Sequence, residues 1–139
     1  MKKVLILCTG NSCRSIMAEA LINHYHSDKY LAFSAGVRHS SVHPTSVQVL
    51  QEMGIATEGL YSKGVTEFLY MEDLDLVITV CDNARQTCPS FPKAVKQIHI
   101  GIEDPVLGYG ASAEAKLESF RNCRDTISAT IVNQLDTFF

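Results

Sequence analysis

The apolar positions of the chain cluster into runs that alternate between two kinds. Lys2–Leu7 reads KKVLIL, a short hydrophobic run without polar alternation, which predicts a strand buried on both faces. A helix is expected next, from about Ser15 to His26. Leu31–Ser34 reads as a second strand, closed by Ala35 and Gly36. Pro44 sits where a helix begins and Gly54 where one ends, so His43–Met53 is expected to be helical. A short helix is expected around Val65–Met71. Leu74–Val80, LDLVITV, is a β-branched run between polar residues and predicts a third strand. Val95–Ile100 predicts a fourth. One long helix is expected over Ser112–Leu135, with Leu117, Phe120, Ile127, Ile131 and Leu135 on one face. Ser112 can cap it and Glu114 falls in its first turn.

Strands alternating with helices imply βαβ units. The expected fold is therefore α/β: a single domain over residues 1–139, with a central four-stranded parallel sheet and helices on both faces. Open sheets of this kind bind ligands beyond the carboxyl ends of their strands. Cys8 ends the first strand, Cys81 ends the third and Asp104 follows the fourth, so all three fall at that edge.

Composition narrows the class. The 139 residues are 46% hydrophobic and 19% charged, ordinary for a soluble domain with a real core. A net charge of −3 without a basic stripe argues against a nucleic-acid partner. The opening apolar run, Val4–Leu7, is too short for a signal peptide or a membrane span, so a cytoplasmic protein with no membrane partner is expected. Five cysteines, an odd number at uneven spacing, do not suit a secreted disulfide framework. In a reducing compartment they suggest catalysis, redox exchange or metal binding.

The stretch CTGNSCRS, Cys8–Ser15, lies between the first strand and the first helix. A tight turn there can aim successive N–H groups into one concavity, and the helix N-terminus adds partial positive charge. The candidate oxyanion site comprises Thr9, Gly10, Asn11, Ser12, Cys13, Arg14 and Ser15. It is neither a P-loop nor a dinucleotide fingerprint, because it holds one glycine and no Gly-Lys-Ser. Arg14 can bind a tetrahedral oxyanion through two parallel hydrogen bonds. The same positive surroundings favour a thiolate at Cys8, the expected nucleophile. Ser15 can donate to its sulfur, and Asn11 can brace the loop.

With Asp104-Pro105 downstream, this loop resembles the low-molecular-weight protein tyrosine phosphatases over nearly the whole chain. Cys81 and Cys88, in VCDNARQTCP, make it similar to the thioredoxin-coupled arsenate reductases built on that fold. The resemblance implies Cys8 as nucleophile, Asp104 as general acid, and a disulfide passed from Cys8–Cys81 to Cys81–Cys88. It implies arsenate as substrate and external reduced thioredoxin as electron donor, with no bound cofactor. If residues 81–88 were helical, the two Cα atoms would lie about 10.5 Å apart along the axis, beyond the roughly 7 Å a disulfide allows. Oxidation would then unwind the segment.

Some thioredoxin-coupled members have a potassium site beside the loop. The matching positions here are Asn11, Glu19 and Ser34, but the fourth, usually an aspartate, falls on Gly64 next to Lys63. A potassium site is therefore not expected; the Lys63 ammonium is expected to pair with Glu19 instead. The phosphatases carry tyrosines just after Asp-Pro, whereas DPVLGYG offers only Tyr109, which favours a small oxyanion over phosphotyrosine. Three other readings stay open: a tyrosine phosphatase, a non-enzymatic thiol switch, and a zinc site of Cys8, Cys13, Cys81 and Cys88. Arg14 beside the loop argues against zinc. Cys13 is expected to pack as a small hydrophobe and Cys123 to face the core. His24 and His26 are expected at the surface, His99 buried in a strand, His39 in a loop and His43 at a cap, none of them catalytic. A monomer is expected.

Overall fold

A computed structural model describes residues 1–81, 84, 86, 96–106 and 112–139. In chain order the elements are β1 (Lys2–Cys8), α1 (Arg14–Tyr25), β2 (Tyr30–Gly36), α2 (Pro44–Gln51), a 3-10 helix (Val65–Phe68), β3 (Leu76–Thr79), β4 (Lys96–His99), α3 (Ala113–Thr130) and a second 3-10 helix (Val132–Phe138). The four strands form one parallel sheet in the order β2-β1-β3-β4. β1 lies between β2 and β3, and the direction of winding reverses there. Val4 to Cys8 are all buried, as the unbroken apolar run requires of a strand covered on both faces.

Side-chain alternation shows what covers each face. Ser34 of β2 donates to Glu19 of α1, so that face looks onto α1. Phe33 points the other way and packs against Phe68 of the first 3-10 helix. α1 is buried over most of its circumference, because α2 and α3 pack on the side it turns from the sheet. Phe120, Ile127, Ile131 and Leu135 are buried as the periodicity predicts.

Boundaries differ where local chemistry overrides the pattern. The last helix is not continuous to Leu135: α3 ends at Thr130 and the chain tightens into 3-10 geometry. Thr130, Ile131 and Val132 are three successive β-branched residues, which crowd an α-helix, and Thr130 Oγ1 bonds back to Thr126 O at 2.8 Å. The Val65–Met71 helix is a single 3-10 turn ending at Phe68. β2 runs longer than expected, to Gly36, because every residue to that point pairs with β1. Val95, the expected start of the fourth strand, lies outside the described residues. Among the described residues no helix is long and apolar enough to cross a membrane.

Candidate active site

Cys8, Thr9, Gly10, Ser12, Cys13 and Arg14, with Asp104 and Val106, line a cavity of about 220 Å³ at the carboxyl end of β1, where the winding reverses, whereas Asn11 and Ser15, also expected at the oxyanion site, brace the loop without lining it. Outer donors hold the loop carbonyls. Cys8 O accepts from Val37 N at 3.1 Å and Thr9 O from Arg38 N at 3.2 Å. Gly10 O accepts from the Ser40 and Ser62 hydroxyls at 3.0 and 3.1 Å. Ser12 O accepts from His43 N at 3.1 Å and Ser46 Oγ at 3.4 Å. In a trans peptide the carbonyl and the following N–H point in opposite directions. Pulling these carbonyls outward turns the amides that follow them, those of Thr9, Gly10, Asn11 and Cys13, the opposite way, to the cavity side of the loop. Among the described residues nothing accepts from the amides of Gly10 to Arg14. With the N-terminus of α1 behind them, they are arranged as a cradle able to hold an anion.

Asn11 shapes the curl. It is fully buried and holds a left-handed φ of 49°. Its Oδ1 accepts from Lys63 N at 2.7 Å, and its Nδ2 donates to Ser15 Oγ at 2.8 Å. Ser15 Oγ lies 2.8 Å from Cys8 Sγ. Accepting from Asn11 leaves the Ser15 proton to reach the sulfur, an arrangement that suits a thiolate. Gly36 makes the curl possible: a Cβ there would lie 2.3 Å from Arg38 O and 2.8 Å from both Asn11 N and Thr9 O.

Arg14 crosses the mouth of the cavity. Its Nη1 donates to Ile102 O at 3.2 Å, and its Nη2 lies 3.8 Å from Asp104 Oδ2. Asp104 Oδ1 accepts from Val106 N at 3.0 Å, which fixes the carboxyl facing the loop. A larger recess, about 470 Å³, runs from Asp104 along α3, but its wall lacks the converging amides.

Cys81 follows β3, which pairs with β1 in the register Leu7↔Thr79, so it arrives level with Thr9. Its Sγ lies 3.1 Å from Thr9 Oγ1 and accepts from Ala84 N at 3.3 Å. Two thiols, Cys8 and Cys81, thus stand at the ends of adjacent strands, both buried. Cys88 and Tyr109 lie outside the described residues.

Beneath the loop, Asn11, Glu19 and Ser34 converge with a lysine. Lys63 is only 5% exposed; its Nζ sits 3.4 Å from Glu19 Oε1, donates to Tyr61 O at 2.7 Å and lies 4.4 Å over the Tyr61 ring. Ser34 Oγ donates to Glu19 at 2.7 Å. The Lys63 ammonium thus pairs with Glu19 beside Ser34 and Asn11. Among the described residues no cluster of His, Cys, Asp and Glu is arranged to hold a metal.

Cys13 lines the cavity but is buried, and burial pushes its thiol up from the ordinary value. Cys123 faces the core, with its thiol pushed up to about 12 by burial. His24 is exposed, whereas His26 is half-buried and bonds Val132 O at 2.9 Å. His99 is also only half-buried, its Nδ1 2.8 Å from Thr79 Oγ1. His43 caps α2, its Nδ1 accepting from Thr45 N at 3.1 Å, and its ring lies tilted against Phe120, 4.7 Å between centroids. Three features escaped the sequence reading: the Thr9 hydroxyl against Cys81, the Ser40–Ser62 grip on Gly10, and the close approach at Gly36. Each joins residues far apart in the chain, and no local spacing marks them.

Relatives frame this geometry. The arsenate reductase of Halalkalibacterium halodurans is 36% identical over 136 residues, 98% of this chain and 96% of its own. The arsenate reductase of Bacillus subtilis is 36% identical over 126 residues, 91% of this chain and 89% of its own. A solved arsenate reductase in its phosphate-binding state superposes with a TM-score of 0.77 at 29% identity, covering 100% of both chains. The low-molecular-weight protein tyrosine phosphatase of T. tengcongensis superposes at 0.79 with 27% identity, again over 100% of both. The family model for low molecular weight phosphotyrosine protein phosphatases matches residues 3–137, and the chain belongs to that family.

Proposed function

We propose that the protein reduces arsenate to arsenite by a three-thiol relay and is recharged by a thioredoxin-type dithiol protein. One observation carries this reading: a second thiol, Cys81, stands against the oxyanion cradle, 3.1 Å from Thr9 Oγ1. Hydrolysis of a phosphate ester needs no such group, whereas electron transfer does. Relatives named arsenate reductase, at 35–37% identity, support it.

Arsenate binds in the cradle, held by the loop amides and Arg14. The Cys8 thiolate attacks arsenic, forming an As–S bond and breaking an As–O bond. Asp104 gives its proton to the departing oxygen, which leaves as water. The Cys81 thiolate, whose negative charge the Thr9 hydroxyl and Ala84 N–H can stabilise, attacks the Cys8 sulfur. An S–S bond forms and the As–S pair stays on arsenic. Arsenic falls from the +5 to the +3 state while two thiols are oxidised, and arsenite leaves. Cys88 then attacks Cys81, Cys8 departs as thiolate, and the external dithiol reduces the Cys81–Cys88 bond.

NADPH consumption with thioredoxin, thioredoxin reductase and arsenate tests this. Each of Cys8→Ser, Cys81→Ser and Cys88→Ser abolishes steady turnover, while Cys88→Ser still yields one arsenite per chain. Steady reduction by Cys81→Ser overturns the relay. The family match and the cradle with Asp104 also support a phosphatase activity, which should survive Cys81→Ser.

A further inference from the structure

The Gly10 carbonyl carries a feature the relay does not use. Two hydroxyls donate to the same oxygen, Ser40 Oγ at 3.0 Å and Ser62 Oγ at 3.1 Å, and so occupy both its lone pairs. The donors are themselves joined, since Ser40 N donates to Ser62 Oγ at 2.9 Å. The result is a closed ring across three segments: the loop after β2, the stretch before the first 3-10 helix, and the cradle. Ser62 directly precedes Lys63, whose N–H holds the Asn11 side chain at 2.7 Å. Gly10 directly precedes Asn11, the left-handed residue of the curl.

We propose that Ser40 and Ser62 are positioning residues that set the oxyanion affinity of the cradle by clamping the Gly10–Asn11 peptide plane. A peptide plane is rigid, so fixing the Gly10 carbonyl also fixes the N–H of Asn11 and the φ of that residue. That φ is costly for a side-chain-bearing residue and relaxes unless its surroundings over-determine it. Without the clamp the plane can turn, and the amides on either side no longer share one focus. Gly10 and Ser12, flanking Asn11, both line the cavity, whereas neither serine does. The serines therefore act through the loop and do not touch the oxyanion.

The inference deepens the arsenate-reductase reading, and its deciding readout needs no turnover. The probe is inorganic phosphate, titrated by calorimetry into the reduced full-length protein and its Ser40→Ala, Ser62→Ala, double-alanine and Ser62→Thr variants. A net hydrogen bond is worth about 0.5–1.5 kcal/mol, so each single alanine weakens phosphate about threefold and the pair about tenfold. Ser62→Thr keeps the hydroxyl and restores the wild-type affinity. In the thioredoxin assay the same variants raise the arsenate KM in parallel while kcat changes much less. Melting temperatures close to wild type separate positioning from a general loss of fold. Equal phosphate affinity in wild type and the double alanine overturns the proposal, as does Ser62→Thr behaving like alanine. Wild type that binds phosphate but leaves arsenate unreduced overturns the reductase reading alone.

Discussion

Substituting Glu19 by Gln probes the buried ion pair under the site. The change removes one charge and little volume, and leaves Oε1 to accept from Ser34. It leaves the Lys63 ammonium, 5% exposed, without a counter-charge: among the described residues only the neutral Oε1 and the Tyr61 carbonyl and ring remain beside it. Breaking a buried ion pair by deleting one partner costs about 3–5 kcal/mol, because the other charge stays desolvated. The remaining Tyr61 contacts place the expected loss near the lower end, about 3 kcal/mol. For 139 residues, 1 kcal/mol moves Tm by about 3–4 °C, so calorimetry should register a fall of about 10 °C. Lys63→Met strands the carboxylate instead. The double variant, with both charges gone, recovers most of the loss and gives a coupling of about 2 kcal/mol or more by urea unfolding. Because the Lys63 ammonium already lies against Glu19, exchanging sodium for potassium is expected to leave the wild-type Tm unchanged. A Glu19→Gln protein within about 0.5 kcal/mol of wild type, or additive single losses, would refute a desolvated pair.

Two further outcomes follow from the loop and its support. Gly36→Ala forces a methyl group against three backbone atoms, the nearest 2.3 Å away, and is expected to cost about 3 kcal/mol or more and to weaken phosphate binding; retained affinity by calorimetry would show that the loop can shift aside. His43 titrates below the ordinary imidazole value in the folded protein, first because of burial, then because of Lys116, with Asp104 opposing. The unfolded chain therefore binds the proton more readily, so this histidine's stabilising contribution is complete above about pH 6.5 and lost as pH falls toward the lowered folded value. His43→Asn keeps a capping side chain and should flatten that part of the stability profile between about pH 7 and 5; an unchanged slope in urea unfolding would contradict it.

The legible parts of the sequence were those in which one physical rule acts alone. VLIL and LVIT have no alternation, and a strand covered on both faces is the reading they allow; both are strands. Pro44 and Ser112 mark helix starts through dihedral and capping chemistry that needs no tertiary partner, and α2 and α3 begin there. The long C-terminal helix was misjudged because hydrophobic spacing persisted through Ile131 and Leu135 while the β-branched run at Thr130–Val132 broke the backbone geometry. At the site, Cys8, Arg14, Ser15 and Asn11 share eight consecutive residues, so their meeting was readable. The proximity of Cys81 was readable only through strand order. Ser40 and Ser62 were not readable, since their meeting with Gly10 depends on how two loops fold over the sheet edge.

Neighbouring parallel strands are spaced about 4.8 Å apart by their hydrogen-bond ladder. Cys8 closes β1, and Cys81 leaves β3 one level beyond it. The sheet thus acts as a ruler: it sets one thiol at the end of one rail and a second just past the end of the next. On the proposed relay, a side chain changed at a single rail end gives an oxyanion pocket a partner for one round of electron transfer, and a further thiol makes it repeatable.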